Sequence, residues 1–157
     1  MDNPFIVEDV NALVALDSRG NPTVKAVVRT RGGTGIALAP SGASTGKREA
    51  VDLRDGGKRW LGKGVDRAIA NIRDVIRNSL VGIDSRKQTY VDSILITLDG
   101  TENKSKLGGN TTTAVSIAVA KAASKTAGFP LYQYLGGPQA RLLPAPLMNI
   151  LNGGVHA

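Results

Sequence analysis

Val10, Ala12, Val14 and Leu16 alternate with Asn11, Leu13 and Ala15, and this period of two predicts a β-strand. Asp17-Ser18-Arg19-Gly20-Asn21-Pro22 follows with turn chemistry: glycine for backbone angles that other residues avoid, proline to end the preceding pairing. Beyond the turn, Val24, Ala26 and Val28 fall on one face and Lys25, Arg29 and Arg31 on the other. That is the pattern of a half-exposed antiparallel strand. Gly32-Gly33 makes a hairpin turn into a third strand over 34–39. A three-stranded antiparallel meander is the simplest arrangement of these segments.

The period then changes. After the small polar stretch Pro40-Ser41-Gly42-Ala43-Ser44-Thr45-Gly46 and a charged run to Gly64, Val65, Ile69, Ile72, Ile76 and Leu80 recur at helical spacing opposite Arg67, Asp74 and Arg77. A second helix is expected with Asp84 as its cap and Val91, Ile94, Leu95 and Leu98 as its apolar stripe. A third should run from a capping Asn110 to about Ala127; it is small or apolar nearly all round, which predicts burial between other elements. Gly128 and Pro130 stop it, and a short helix through Leu131-Tyr132-Gln133-Tyr134-Leu135 follows. From Leu142 to Leu151, prolines lead into an apolar run that reads as a linker feeding a buried strand, with Asn152-Gly153-Gly154-Val155-His156-Ala157 at its end. The fold class is therefore α+β, a meander followed by a helical bundle.

Composition narrows the function classes. No window of the 157 residues approaches a membrane span, no signal peptide precedes the first strand, and the absence of cysteine excludes disulfides and thiolate chemistry, as suits a cytoplasmic protein. The formal net charge of +7 raises the question of nucleic acid, but the basic residues are scattered and do not interleave with aromatics as a base-stacking surface requires. Nucleic-acid binding is not expected.

Candidate chemistry is sparse. The spacing from Gly42 to Lys47 misses a phosphate-cradling loop, because three residues separate the glycines and Arg48 follows the lysine. Between Gly57 and Gly64 the gap is right, but Gly64 stands where a hydroxyl residue is needed. One histidine cannot build a zinc site by the usual spacings. A hard cation such as magnesium needs only oxygens. The 41–46 stretch offers hydroxyls and carbonyls, though the same residues also read as a solvated turn.

Several segments together resemble the enolase N-terminal domain in order and spacing. They are Asp17-Ser18-Arg19-Gly20-Asn21-Pro22-Thr23-Val24, then the 40–46 stretch with Glu49-Ala50, Leu53-Arg54-Asp55 and Leu61-Gly62-Lys63-Gly64-Val65. Leu98-Asp99-Gly100-Thr101-Glu102-Asn103-Lys104-Ser105-Lys106-Leu107-Gly108 and Asn149-Ile150-Leu151-Asn152-Gly153-Gly154-Val155-His156-Ala157 complete the set. The resemblance implies a capping domain over residues 1–140, with 141–157 as the linker and first strand of a C-terminal α/β barrel that this chain would lack. It implies a lyase of glycolysis and gluconeogenesis, a phosphopyruvate hydratase that interconverts 2-phosphoglycerate and phosphoenolpyruvate. Such an enzyme uses a lysine base and two magnesium ions that stabilise the charge of a deprotonated carboxylate substrate. Ser44 matches a serine that binds the second magnesium; Ser41, Gly42, Ala43, Ser44, Thr45 and Gly46 match a mobile active-site loop, and His156 matches a substrate-contacting histidine. The 99–108 segment matches no catalytic role and reads as a turn between helices.

The departures from the family pattern carry expectations of their own. The catalytic lysine, the acidic groups and the main metal ligands of the family have no counterpart in these residues, so catalytic residues are none in this segment. The chain reads as an N-terminal fragment, inactive alone. Lys25 stands where the family commonly has a glutamate that pairs with a partner subunit, which argues against the usual homodimer. Gly109-Asn110-Thr111-Thr112-Thr113 replaces the usual Ala-Asn-Ala-Ile-Leu. The alternative function is a free-standing, non-catalytic basic module for an acidic partner or nucleic acid.

Overall fold

The structure, a computed structural model, describes residues 3–42 and 46–151. Strands β1 (Val7–Leu16), β2 (Pro22–Thr30) and β3 (Thr34–Leu38) form one antiparallel sheet in the order β1-β2-β3, as the alternation predicts. The register pairs Val10 with Val28, Ala12 with Ala26 and Ala26 with Ala37, so these small apolar side chains share one face. All of them are buried.

Two helical layers cover that face. A continuous helical rod crosses β1: α1 (Asp66–Ala70), a π-helical turn (Asn71–Ile76) and α2 (Arg77–Leu80). Ile69, Ile72, Ile76 and Leu80 are its buried stripe, as their spacing indicates. Helix α4 (Gly109–Thr126) lies across β2 and β3, and α3 (Gln88–Asp99) packs against both α4 and the rod. Helix α4 approaches the sheet through Ala114, Ala118 and Ala122, all fully buried, and through the glycine opposite them. A Cβ on Gly35 would lie 2.0 Å from the Ala118 carbonyl oxygen and 2.3 Å from the Ala122 nitrogen. Helix α5 (Leu131–Gly136) and a single turn at Gly137–Gln139 end the regular structure among the described residues, and the side chains of Leu142, Leu143, Leu147 and Ile150 beyond them are exposed.

Three sequence expectations change. The inward face of β1 outruns its cover, so Val14 and Leu16 are 39% and 56% exposed although the alternation groups them with Val10 and Ala12. Asp84 does not cap α3, which starts later; its carboxylate binds Arg86 and Asn3, and Arg86 lies over the Phe5 ring at 4.5 Å. Asn110 is not the cap of α4 either. Gly108 takes that position, and the Asn110 side chain turns away to another segment. In both cases a distant backbone or side chain outcompetes the local helix end for the same polar group.

Candidate functional site

The 41–46 stretch leaves the sheet after β3, and its two ends are fixed from opposite sides. Arg19 donates from Nη1 to the Gly42 carbonyl at 3.1 Å. Arg19 is placed by the turn between β1 and β2, where the Asp17 carboxylate accepts the Asn21 and Arg19 amides, each at 2.8 Å. Those bonds, the Asn21 amide foremost, hold the Asp17 carboxyl below its ordinary range. At the other end the Gly46 carbonyl accepts the Glu49 amide at 3.2 Å. Ser41, Gly42 and Gly46 are thus placed; Ala43, Ser44 and Thr45 lie outside the described residues, as does His156.

The chain that follows has no regular structure but is clamped along its length. Val51 donates to the Asn103 carbonyl at 2.8 Å and accepts from the Gly109 amide at 2.7 Å. Asn110 pairs with Leu53 as a strand would: its Oδ1 accepts the Leu53 amide and its Nδ2 donates to the Leu53 carbonyl, both at 3.1 Å. The close fit explains the two glycines before it. A Cβ on Gly108 would sit 2.7 Å from the Leu53 Cβ, and one on Gly109 would sit 2.8 Å from the Ala50 Cβ. Arg54 donates to the Pro22 and Lys63 carbonyls at 2.6 and 2.8 Å, which ties the segment to the sheet. Asp55 accepts the Asp66 and Arg67 amides at 2.7 and 2.9 Å and so caps α1 from outside the helix.

Sequence reasoning missed this clamp. Leu53-Arg54-Asp55 carries no periodicity, and Asn110 looks like an ordinary helix cap; the partners are 57 positions apart in the case of Asn110 and Leu53. The 99–108 turn is built as expected. The Asp99 carboxylate accepts the Leu107 amide at 2.7 Å, the Thr101 amide at 3.0 Å and the Thr101 hydroxyl. Burial pushes the Asp99 carboxyl up, but those donors outweigh it and leave it below the usual value.

A cleft of about 350 Å³ opens at the root of the 41–46 stretch, lined in part by Pro40, Gly42, Glu49, Asp52, Asn110 and Thr113. Beside it a larger one of about 720 Å³ shares Glu49 and is lined also by Lys47, Arg48, Glu102, Asn103 and Lys104. Among the described residues no cluster of three or more His, Asp or Glu side chains could hold a metal ion. The scaffold fixes Gly42 and Gly46, and Gly42 and Glu49 line a polar cleft.

A family model described as the N-terminal domain of enolase matches residues 7–135. The enolase of Aeropyrum pernix is 60% identical over 156 residues, 99% of this chain and 36% of that relative. The enolase of Pyrococcus furiosus is 57% identical over 157 residues, all of this chain and again 36% of the relative. That of Methanococcus vannielii is 55% identical over 158 residues, 37% of its length. The chain thus spans little more than a third of the curated relatives it matches.

Proposed function

The chain belongs to the enolase family, and from that premise we propose that it serves as the N-terminal domain of a phosphopyruvate hydratase, which interconverts 2-phosphoglycerate and phosphoenolpyruvate plus water. Residues 1–140 form the capping domain, and 141–157 lead toward the barrel in which the reaction's lysine base and acidic groups reside. The observation that carries this reading is the clamp itself. Arg19 bonds Gly42 and Glu49 bonds Gly46, at the two ends of a stretch that the enolase resemblance makes an active-site loop, and Val51 and Leu53 bind the chain that follows it to Asn103, Gly109 and Asn110. A loop that must close over a substrate needs anchored ends.

In this reading Ser44 is the one magnesium ligand that the domain contributes, and His156 contacts the substrate. No step of the chemistry is assigned to the described residues; their work is to place the loop. The protein acts in the cytoplasm, and no helix among the described residues is long and apolar enough to cross a membrane. Lys25 lies between Leu13 and Leu38 in the register of the outer sheet face, where Leu13 and Leu38 are 48% and 46% exposed. A cation there opposes a partner subunit that presents arginine, so the usual homodimer is not part of this proposal.

The test is a fusion. Joined in frame to the remaining two thirds of the Aeropyrum pernix enolase, the chain should form phosphoenolpyruvate from 2-phosphoglycerate with magnesium, whereas the purified 157 residues alone should form none. A folded, soluble fusion without turnover would refute the reading.

A further inference from the structure

We propose that the cleft walled by Lys47, Arg48 and Lys104 is an anion-collecting site, which gathers small phosphate- and carboxylate-bearing molecules beside the root of the 41–46 stretch. Part of the basic character of the chain is neutralised locally: Arg29 and Arg31 by Glu8, Arg54 by Asp52, Arg59 by Asp66, Arg77 by Asp9 and Arg86 by Asp84. Among the described residues Lys47 and Arg48, like Lys63, Lys121 and Lys125, form no such ion pair, and both are exposed. They line one concavity of about 720 Å³ together with Lys104. Glu49 and Glu102 share the wall, but the cations outnumber them there.

Lys104 supplies an independent observation. Its φ is +60°, a left-handed conformation that a residue with a Cβ adopts only under constraint. The constraint is visible: the Lys104 carbonyl accepts the Gly108 amide at 2.8 Å, and the neighbouring Asn103 carbonyl holds Val51. The ammonium has three protons, and the Thr101 carbonyl receives one at the long distance of 3.5 Å. A glycine or asparagine would suit this backbone better, yet a lysine stands here. Strain of this kind concentrates where function requires it. Cations along the wall of a concavity raise the local concentration of an anionic ligand and speed its arrival.

Only the identity of the anion rests on the proposed reaction; the site itself does not. The isotope-labelled 157-residue chain, titrated with inorganic phosphate and separately with 2-phosphoglycerate, should show amide shifts clustered at 47–49 and 102–104. Saturation belongs in the millimolar range, and the shifts should vanish at roughly 0.5 M salt. Lys47→Gln and Arg48→Gln should each weaken binding about two- to fivefold. Lys104→Gly should weaken it as much while the melting temperature holds or rises, because glycine relieves the backbone. Glu102→Gln should tighten it. Shifts spread equally over Lys121 and Lys125, which line a different and more apolar cleft, would overturn the proposal. So would unchanged affinity in Lys104→Gly. Phosphate collected here, with an inactive fusion, would uphold the site and refute the reaction.

Discussion

At Gly35 a missing Cβ lets a helix backbone rest directly on a strand. Alanine there meets backbone at 2.0 and 2.3 Å, which no rotamer change can relieve. Gly35→Ala should therefore destabilise the fold by about 3 kcal/mol or more, measured by urea unfolding; a change within about 0.5 kcal/mol would show that α4 slides freely. Asn110→Ala strands the buried Leu53 amide and carbonyl together and should cost about 2–3 kcal/mol. It should also speed amide exchange at 50–55 ahead of the rest of the chain. Asp84 gives a pH prediction. The Arg86 guanidinium bonded to it, with help from Asn3, holds its carboxyl well below the ordinary 3.8, so the folded chain releases that proton more readily than the unfolded chain does. The contact therefore contributes fully above about pH 4 and is lost as pH falls below that value. Asp84→Asn should flatten the acid limb of the stability curve; an identical limb would contradict the assignment. None of these residues announces its role in the sequence. Asn110 and Asp84 are good cap residues by type, and only the positions of Leu53, Arg86 and Asn3 in space decide against capping.

Elements were more legible than residues, because periodicity reports which face is buried and the nearest layer does the burying. The stripe Ile69, Ile72, Ile76 and Leu80 and the alternation in β2 predicted their burial correctly. The alternation in β1 failed at Val14 and Leu16, which the helices leave exposed, a matter of tertiary cover that no local pattern contains. The π-helical turn at Asn71–Ile76 was also invisible: it keeps the apolar stripe inward and puts Arg73 over the β1 edge, where the guanidinium donates to the Ala12 carbonyl at 2.6 Å. The turn Arg59–Gly62 holds two residues of positive φ, Trp60 and Leu61, both at +53°. Leu61 is 91% exposed, so it has little packing to lose. Leu61→Gly should be neutral or stabilising by up to about 1 kcal/mol, whereas Leu61→Val should destabilise by about 1 kcal/mol or more. Thermal unfolding reads both, and equal effects would mean that the turn relaxes.

On the scale of the whole molecule, the fold is a scaffold that positions one irregular segment. The sheet and α4 form a rigid base, and the irregular 47–55 segment is bound to that base by Asn103, Gly109 and Asn110. Ion pairs within the chain leave its net charge of +7 unchanged, and Lys47, Arg48 and Lys104 bring part of that excess to one cleft. The fold class and the family were readable from ordered motifs across the chain. The clamp was not, because it consists of contacts between segments that share no pattern. The central claim is that this scaffold presents the 41–46 stretch to an enolase active site. The most direct measurement is steady-state turnover of the fusion to the Aeropyrum pernix barrel with and without Ser44→Ala. The account predicts a loss of roughly 10- to 100-fold in kcat/KM at an unchanged melting temperature. Turnover within about twofold of the parent fusion, less than 0.5 kcal/mol in the barrier, would contradict it.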